Sequence, residues 1–352
     1  MSKQSDSHKL FIIVPIYNVE SYLKSCLDSI QRQIYSNFVA VMVDDGSRDD
    51  SARIAFDYAK NDNRFILLSQ ENGGVAKARN YALDYIFTTL KPHKNDYIGF
   101  VDSDDIIAWD YFDRLIACMN THQTPIAKSR NIVRFDNTNA HKIALGGGQN
   151  KFRFLHKTFV TQTNNDNINS RIEVYRILYR CHFVESLRFC EVRLCEDLSF
   201  NTLCNALAKN IAYTRQARYF YRQREGSLMK KYKYLYDDCL KNFAWLLERF
   251  IAYNLLDSYK IPLDLVKNIP QDSADLHFDN LHKLIASYNL NDEILRKNPQ
   301  LKAILDSANY AEFSLRFKNK PKERFRRLFR FNIRKSGIHI RIFGKNIIDK
   351  YF

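Results

Sequence analysis

The chain has 352 residues, 45% of them hydrophobic, and a net charge of +15. That length suggests about two domains, and the apolar share is ample for a buried core. No apolar run reaches the roughly 18 residues of a membrane-spanning helix, and the run at Leu10 is too short for a signal peptide and lacks a small-residue cleavage site. Seven cysteines, at 26, 118, 181, 190, 195, 204 and 239, form neither an even disulfide framework nor a paired zinc motif. The composition therefore points to a reduced, cytoplasmic protein in which Cys190 and Cys195 are buried thiols.

The first element is Leu10-Phe11-Ile12-Ile13-Val14-Pro15, an apolar run closed by proline that reads as a buried parallel strand. Tyr22, Leu23, Cys26, Leu27 and Ile30 recur at helical spacing within Ser21 to Gln33, and Phe38 to Val43 is a second strand ending in Asp44-Asp45-Gly46-Ser47. This is a β-α-β unit. Ser47 or Asp49 caps the next helix, Phe65 to Leu68 supplies a third strand, Gly74 to Leu90 a helix and Tyr97 to Val101 a fourth strand. Right-handed crossovers bring the carboxyl ends of such strands to one edge, where open α/β sheets bind ligands. Pro15, Asp45 and Asp104 are expected to share that edge.

Asp102-Ser103-Asp104-Asp105 puts clustered carboxylates at the mouth of the fourth strand. Mg²⁺ and Mn²⁺ favour such hard oxygen ligands and complete their shells with water and substrate phosphates. Asp-rich turns also end strands for purely local reasons, because Asp and Ser favour turns and caps. Glu196-Asp197 opens a helix over Leu198 to Leu207, where the helix dipole favours acids.

Four segments in this order resemble the inverting family 2 glycosyltransferases with the GT-A fold: Val14 to Glu20, Val43 to Asp49, Glu71 to Asn80, and Phe100 to Asp105. The likeness returns at Leu178 to Phe200 and at Tyr221 to Ser227. It implies an α/β, Rossmann-like mixed sheet followed by a helical region: a catalytic domain over 1–230, with a nucleotide-binding half (9–105) and an acceptor half (106–230). It implies a UDP-sugar donor, with Asp45 aimed at the uracil N–H, Tyr17 stacked on the base, and Pro15, Glu20, Lys77, Arg79 and Ser103 around the nucleotide. Asp104 becomes the leading ligand of Mn²⁺ or Mg²⁺, and Asp102 contacts the ribose or the metal. Arg222 and Arg224 reach the diphosphate. Asp197 becomes the base for the acceptor hydroxyl, and Glu196 contacts acceptor or backbone. The acceptor expected is a growing bacterial surface glycan of the lipooligosaccharide, lipopolysaccharide or capsule kind.

Residues 231–318 carry apolar positions at helical spacing (Leu235, Cys239, Phe243, Leu246, Leu247, Phe250) punctuated by Pro262, Pro270 and Pro299. This helical accessory domain reads equally as binding acceptor, forming a homo-oligomer or bracing the catalytic domain. Leu145 to Gln149 reads as the turn of a hairpin. Residues 320–352 hold 11 Lys/Arg against 2 Asp/Glu, net +9 of the total. Phe325, Leu328, Phe329 and Ile333 fall near helical spacing among arginines, so 319–352 is expected to be a basic amphipathic helix lying on an anionic membrane surface through 320–345; a docked helix and a solvated tail are the other readings.

The charge and 14% aromatics also suit a nucleic-acid-binding protein, but the charge sits in one tail and the Asp clusters repel phosphate, so no nucleic-acid partner is expected. A dinucleotide oxidoreductase needs G-x-G-x-x-G after the first strand, where this chain has Val14-Pro15-Ile16-Tyr17-Asn18-Val19. A non-catalytic sugar-nucleotide binder leaves Asp104 and Asp197 together without a purpose.

Overall fold

A computed structural model describes residues 8–135, 158–163, 173–193, 195–223, 236–260 and 274–313, and three strands between 329 and 351. The four apolar runs become β1 (Leu10–Ile16), β2 (Phe38–Asp44), β3 (Phe65–Ser69) and β4 (Tyr97–Phe100). They lie parallel in the order β3-β2-β1-β4. Register pairs Pro15 with Val43 and Ile16 with Asp44, so the carboxyl ends are level, as the crossover rule requires.

Helices α1 (Glu20–Gln31), α2 (Ser51–Asn61) and α3 (Val75–Tyr85) connect these strands, and α3 continues into a π-helical turn at Ile86–Leu90. Every residue of β1 and β4 is buried, which is why these strands are continuously apolar rather than alternating. Gly99 permits this closeness beside α4 (Tyr111–His122): a Cβ there would sit 2.5 Å from a Phe112 ring carbon.

Beyond β4 the sheet becomes mixed. Strands β5 (Ile106–Ile107), β6 (Ile126–Phe135), β7 (Phe159–Gln162), β8 (Ile177–Arg180) and β9 (Asn210–Arg222) complete it. β8 runs antiparallel to β4 and β6, while β6 and β9 are parallel. Helix α5 (Glu196–Ala208) packs against α6 (Tyr236–Ala252). The hairpin expected around Leu145–Gln149 and the position of Arg224 lie outside the described residues. Among the described residues no helix is long and apolar enough to cross a membrane.

The chain divides into two compact units, 1–267 and 268–352. In the second, helices Ala274–Ser287 and Pro299–Leu305 bury Phe278, Leu281, Ile285, Leu301 and Ile304, and Asn291 caps the helix Asp292–Lys297 by accepting from the Ile294 N–H. The basic end corrects the helical expectation. Phe329–Arg334, Gly337–Ile342 and Lys345–Tyr351 form a three-stranded antiparallel sheet. The physical reason is the period: Phe-Arg-Phe-Asn-Ile-Arg and Gly-Ile-His-Ile-Arg-Ile alternate every second residue and are rich in β-formers. Phe325 and Leu328 lie outside the described residues.

Candidate active site

The β1 and β2 ends are stitched together by caps. Glu20 Oε2 accepts from the Asp50 N–H (2.9 Å), while Asp49 Oδ2 accepts from the Glu20 N–H (3.1 Å), so Glu20, expected at the donor, holds the starts of two helices together. Tyr17 is exposed beside the buried Pro15. The Asp45 carboxylate is buried and accepts four bonds: Oδ1 from Gln70 Nε2 (2.6 Å) and the Gly73 N–H (2.9 Å), Oδ2 from Asn72 Nδ2 (3.3 Å) and the Gly74 N–H (2.8 Å). Two donors per oxygen fill a carboxylate's capacity. Asp45, expected at the uracil N–H, here holds the 70–74 loop. Asp44, next to it, accepts one bond on Oδ1 from the Ser47 N–H (3.2 Å). Gly74 has φ +89°, a conformation glycine adopts without strain, and the exposed Lys77 stem lies against Gly73.

The acidic turn after β4 is braced from β9. Asp105 is fully buried; Oδ2 accepts from the Tyr219 hydroxyl (2.8 Å) and Oδ1 from the Arg222 N–H (2.7 Å). Tyr219 also accepts from the Asp102 N–H (3.2 Å). Arg222, expected at the diphosphate, is buried and spends its guanidinium inside the protein. Nε donates to the Asp104 carbonyl (2.7 Å), Nη2 donates to Ser25 (3.2 Å), and the fork lies over Tyr22 and Phe135. Here it braces the turn. Ser103 is buried, whereas Asp102 and Asp104 are half-buried.

Arg79 joins this turn to α5. Its side chain is 4% exposed; Nη2 donates to Asp102 Oδ1 at 2.9 Å and Nη1 to Glu196 Oε1 at 2.6 Å. Burial opposes its charge, but Asp102 and Glu196 outweigh that and raise its pKa. The neighbouring Asn80 clamps the chain approaching α5, donating to the Phe189 carbonyl (3.0 Å) and accepting from its N–H (2.7 Å). The start of α5 is fixed by Cys195 at φ +63°, whose carbonyl accepts from Asn242 Nδ2; Asn242, fully buried on α6, also accepts from Ser199. Asp197 is half-buried, and its carboxyl is pushed up to about 8, first by burial and then by Glu196, against the pull of Arg79.

Two half-buried carboxylates on one turn supply hard oxygen donors suited to Mg²⁺ or Mn²⁺. Burial and mutual repulsion raise the pKa of Asp102 and Asp105, an electrostatic load that a divalent cation offsets. The geometry thus unites Arg79, Asp102 and Glu196, with Asp197 the next residue after Glu196 and Asp104 two residues after Asp102, while Asp45, Glu20 and Arg222 bond within the protein. Sequence reasoning missed Tyr219, Asn80 and Asn242. The first stands two residues from each of the inward-facing positions Ala217 and Tyr221 of β9, an alternation that marks its face but not its hydroxyl's partner.

Fold and site together are those of a glycosyltransferase of the GT-A class. Residues 11–180 match the family model for glycosyl transferase family 2. The chain is 33% identical over 261 residues to EpsJ of Bacillus subtilis, an uncharacterized glycosyltransferase, covering 72% of this chain and 73% of EpsJ. It is 30% identical over 322 residues to the glycosyltransferase GlyA of Streptococcus pneumoniae, covering 88% of this chain but only 40% of GlyA. The crystal structure of S. aureus TarS 1-349 in complex with UDP-GlcNAc aligns with a TM-score of 0.63 at 19% identity, over 98% of this chain and 99% of that one. The chain belongs to glycosyltransferase family 2.

Proposed function

We propose that the protein moves a hexose or N-acetylhexosamine from a UDP-sugar to a hydroxyl of a growing bacterial surface glycan by a single, inverting displacement. The observation that carries this reading is Arg79, which ties the acidic turn to the helix bearing Asp197 through 2.9 and 2.6 Å contacts. The UDP-GlcNAc complex of the similarly folded TarS supports the donor class.

The nucleotide lies over the β1 and β2 ends, with Tyr17 against the base and Asp44 as the carboxylate for the uracil N–H. Asp104 and Asp102 would hold Mn²⁺ or Mg²⁺, which when bound neutralises charge on the departing diphosphate. As the acceptor oxygen attacks the anomeric carbon, the bond to the diphosphate breaks and Asp197 takes the hydroxyl proton. Lys77, exposed over Gly73, is placed to meet phosphate. The net +9 of residues 320–352 supports peripheral contact with an anionic membrane presenting a glycan or glycolipid acceptor.

The test is release of nucleoside diphosphate from a panel of UDP-, GDP- and dTDP-sugars with Mn²⁺ and with EDTA. Metal-dependent turnover of one UDP-sugar is expected. Turnover confined to GDP- or dTDP-sugars, or unaffected by EDTA, rejects the reading.

A further inference from the structure

At the opposite edge of the sheet, where β1 and β4 begin, His8, His93 and Asp96 converge. One ligand atom from each lies within 4.8 Å of the others. We propose that these three side chains form a second cation site, selective for a borderline metal such as Zn²⁺ or Ni²⁺, that staples the start of β1 to the turn before β4.

The ligands are preset by the backbone. Register pairs Leu10 with Tyr97, and the Tyr97 N–H donates to the Lys9 carbonyl (2.8 Å), which carries His8 alongside Asp96. The buried Asp96 carboxylate is oriented by the Lys9 N–H on Oδ1 and the His93 N–H on Oδ2, both at 2.8 Å. Ligating carboxylates are characteristically held by such secondary bonds. His8 Nδ1 lies 3.8 Å from Asp96 Oδ1, and its ring stacks on His93 (5.7 Å, 11° between planes) and meets the edge of Tyr97 (6.1 Å). His93 Nδ1 accepts a long bond from the Asn95 N–H (3.3 Å), a contact a metal at that nitrogen would replace.

The two backbone bonds account for Asp96 as a turn cap, but they do not require two imidazoles gathered at its carboxylate. With metal–ligand bonds of about 2.0 to 2.2 Å, tetrahedral ligand atoms stand roughly 3.3 Å apart, so closure takes on the order of 1 Å, within reach of rotation of the exposed His93. Two imidazoles and one carboxylate prefer Zn²⁺, Ni²⁺ or Co²⁺, whereas Mg²⁺ favours all-oxygen sites such as the acidic turn. Lys9 and Lys94 flank the cluster, and their surface charge is screened by water and salt.

The experiment is calorimetric titration of Zn²⁺ into the full chain held in saturating Mg²⁺, which occupies the acidic turn. One Zn²⁺ per chain is expected, weakened at least about tenfold in His93→Ala and abolished in a His8→Ala, His93→Ala double variant. The site is to persist in Asp104→Ala, separating it from the site of transfer. Melting without metal checks that each variant is folded, and His93→Gln replaces any that is not. Equal Zn²⁺ affinity in wild type and double variant, or its loss in Asp104→Ala alone, overturns the proposal.

Discussion

Arg79 Nη1 lies 2.6 Å from Glu196 Oε1 while Nη2 holds Asp102, so one buried cation divides itself between the acidic turn after β4 and the start of α5. Glu196→Gln releases Arg79 to Asp102 alone and should weaken Mn²⁺–UDP binding, although residue 196 contacts neither ligand in the proposed arrangement. In an Arg79→Lys background that shift should shrink, giving a coupling of about 0.5–3 kcal/mol. Additive effects on Mn²⁺–UDP affinity would show that the two carboxylates act independently. Arg79→Gln, which strands the buried Glu196 and the half-buried Asp102, should cost up to about 3–5 kcal/mol of stability by denaturant unfolding.

Asp197→Asn should lower the transfer rate by about 10² or more while UDP binding holds. In the wild type kcat/KM should climb with pH toward the ionisation near 8. The same raised pKa affects stability. Asp197 gains a proton on folding between its ordinary value of about 4 and about 8, so its favourable contribution is complete below about pH 4 and is lost as pH rises through 8. Asp197→Asn should therefore raise the melting temperature more at pH 8 than at pH 5; the reverse order would mean the carboxylate is not disfavoured in the fold.

Tyr219→Phe removes one hydroxyl that serves both Asp105 and the Asp102 N–H. About 1–3 kcal/mol should disappear from the unfolding free energy, and Mn²⁺ binding should weaken because the turn loses its brace. A variant as stable as wild type with unchanged Mn²⁺ affinity would place the bracing in Arg222 alone.

Asp104→Ala should abolish metal-dependent transfer and remove the Mn²⁺ enhancement of UDP binding. Retained activity in Mn²⁺ would take Asp104 out of the metal's shell.

Deleting 320–352 should reduce binding to anionic vesicles, with the wild-type binding falling as salt rises. Unaltered partitioning would locate any membrane contact elsewhere.

The first half of the sheet was legible because β1, β2 and β4 are buried on both faces and spell continuous apolar runs from Leu10, Phe38 and Tyr97, and the edge strand from Phe65, though only half-buried, is apolar too. The acidic turn and the Glu196-Asp197 helix start were legible as residue types. Their connection was not, since the Arg79–Glu196 pair spans 117 positions and no local pattern encodes it. Asp45 and Arg222 show the converse: residue type identified carboxylate and guanidinium, but only the fold revealed that their bonds are spent on the 70–74 loop and the Asp104 carbonyl. At the basic end a helical spacing of four apolar residues outweighed a two-residue alternation starting at Phe329, and the alternation prevailed.

Asn242 holds the Cys195 carbonyl from 47 residues downstream. The shortest fragment that keeps this helix start in place is consequently set by this amide rather than by the mixed sheet: a chain ending after β9 keeps every strand of that sheet, yet deprives the turn before Asp197 of its Asn242 anchor.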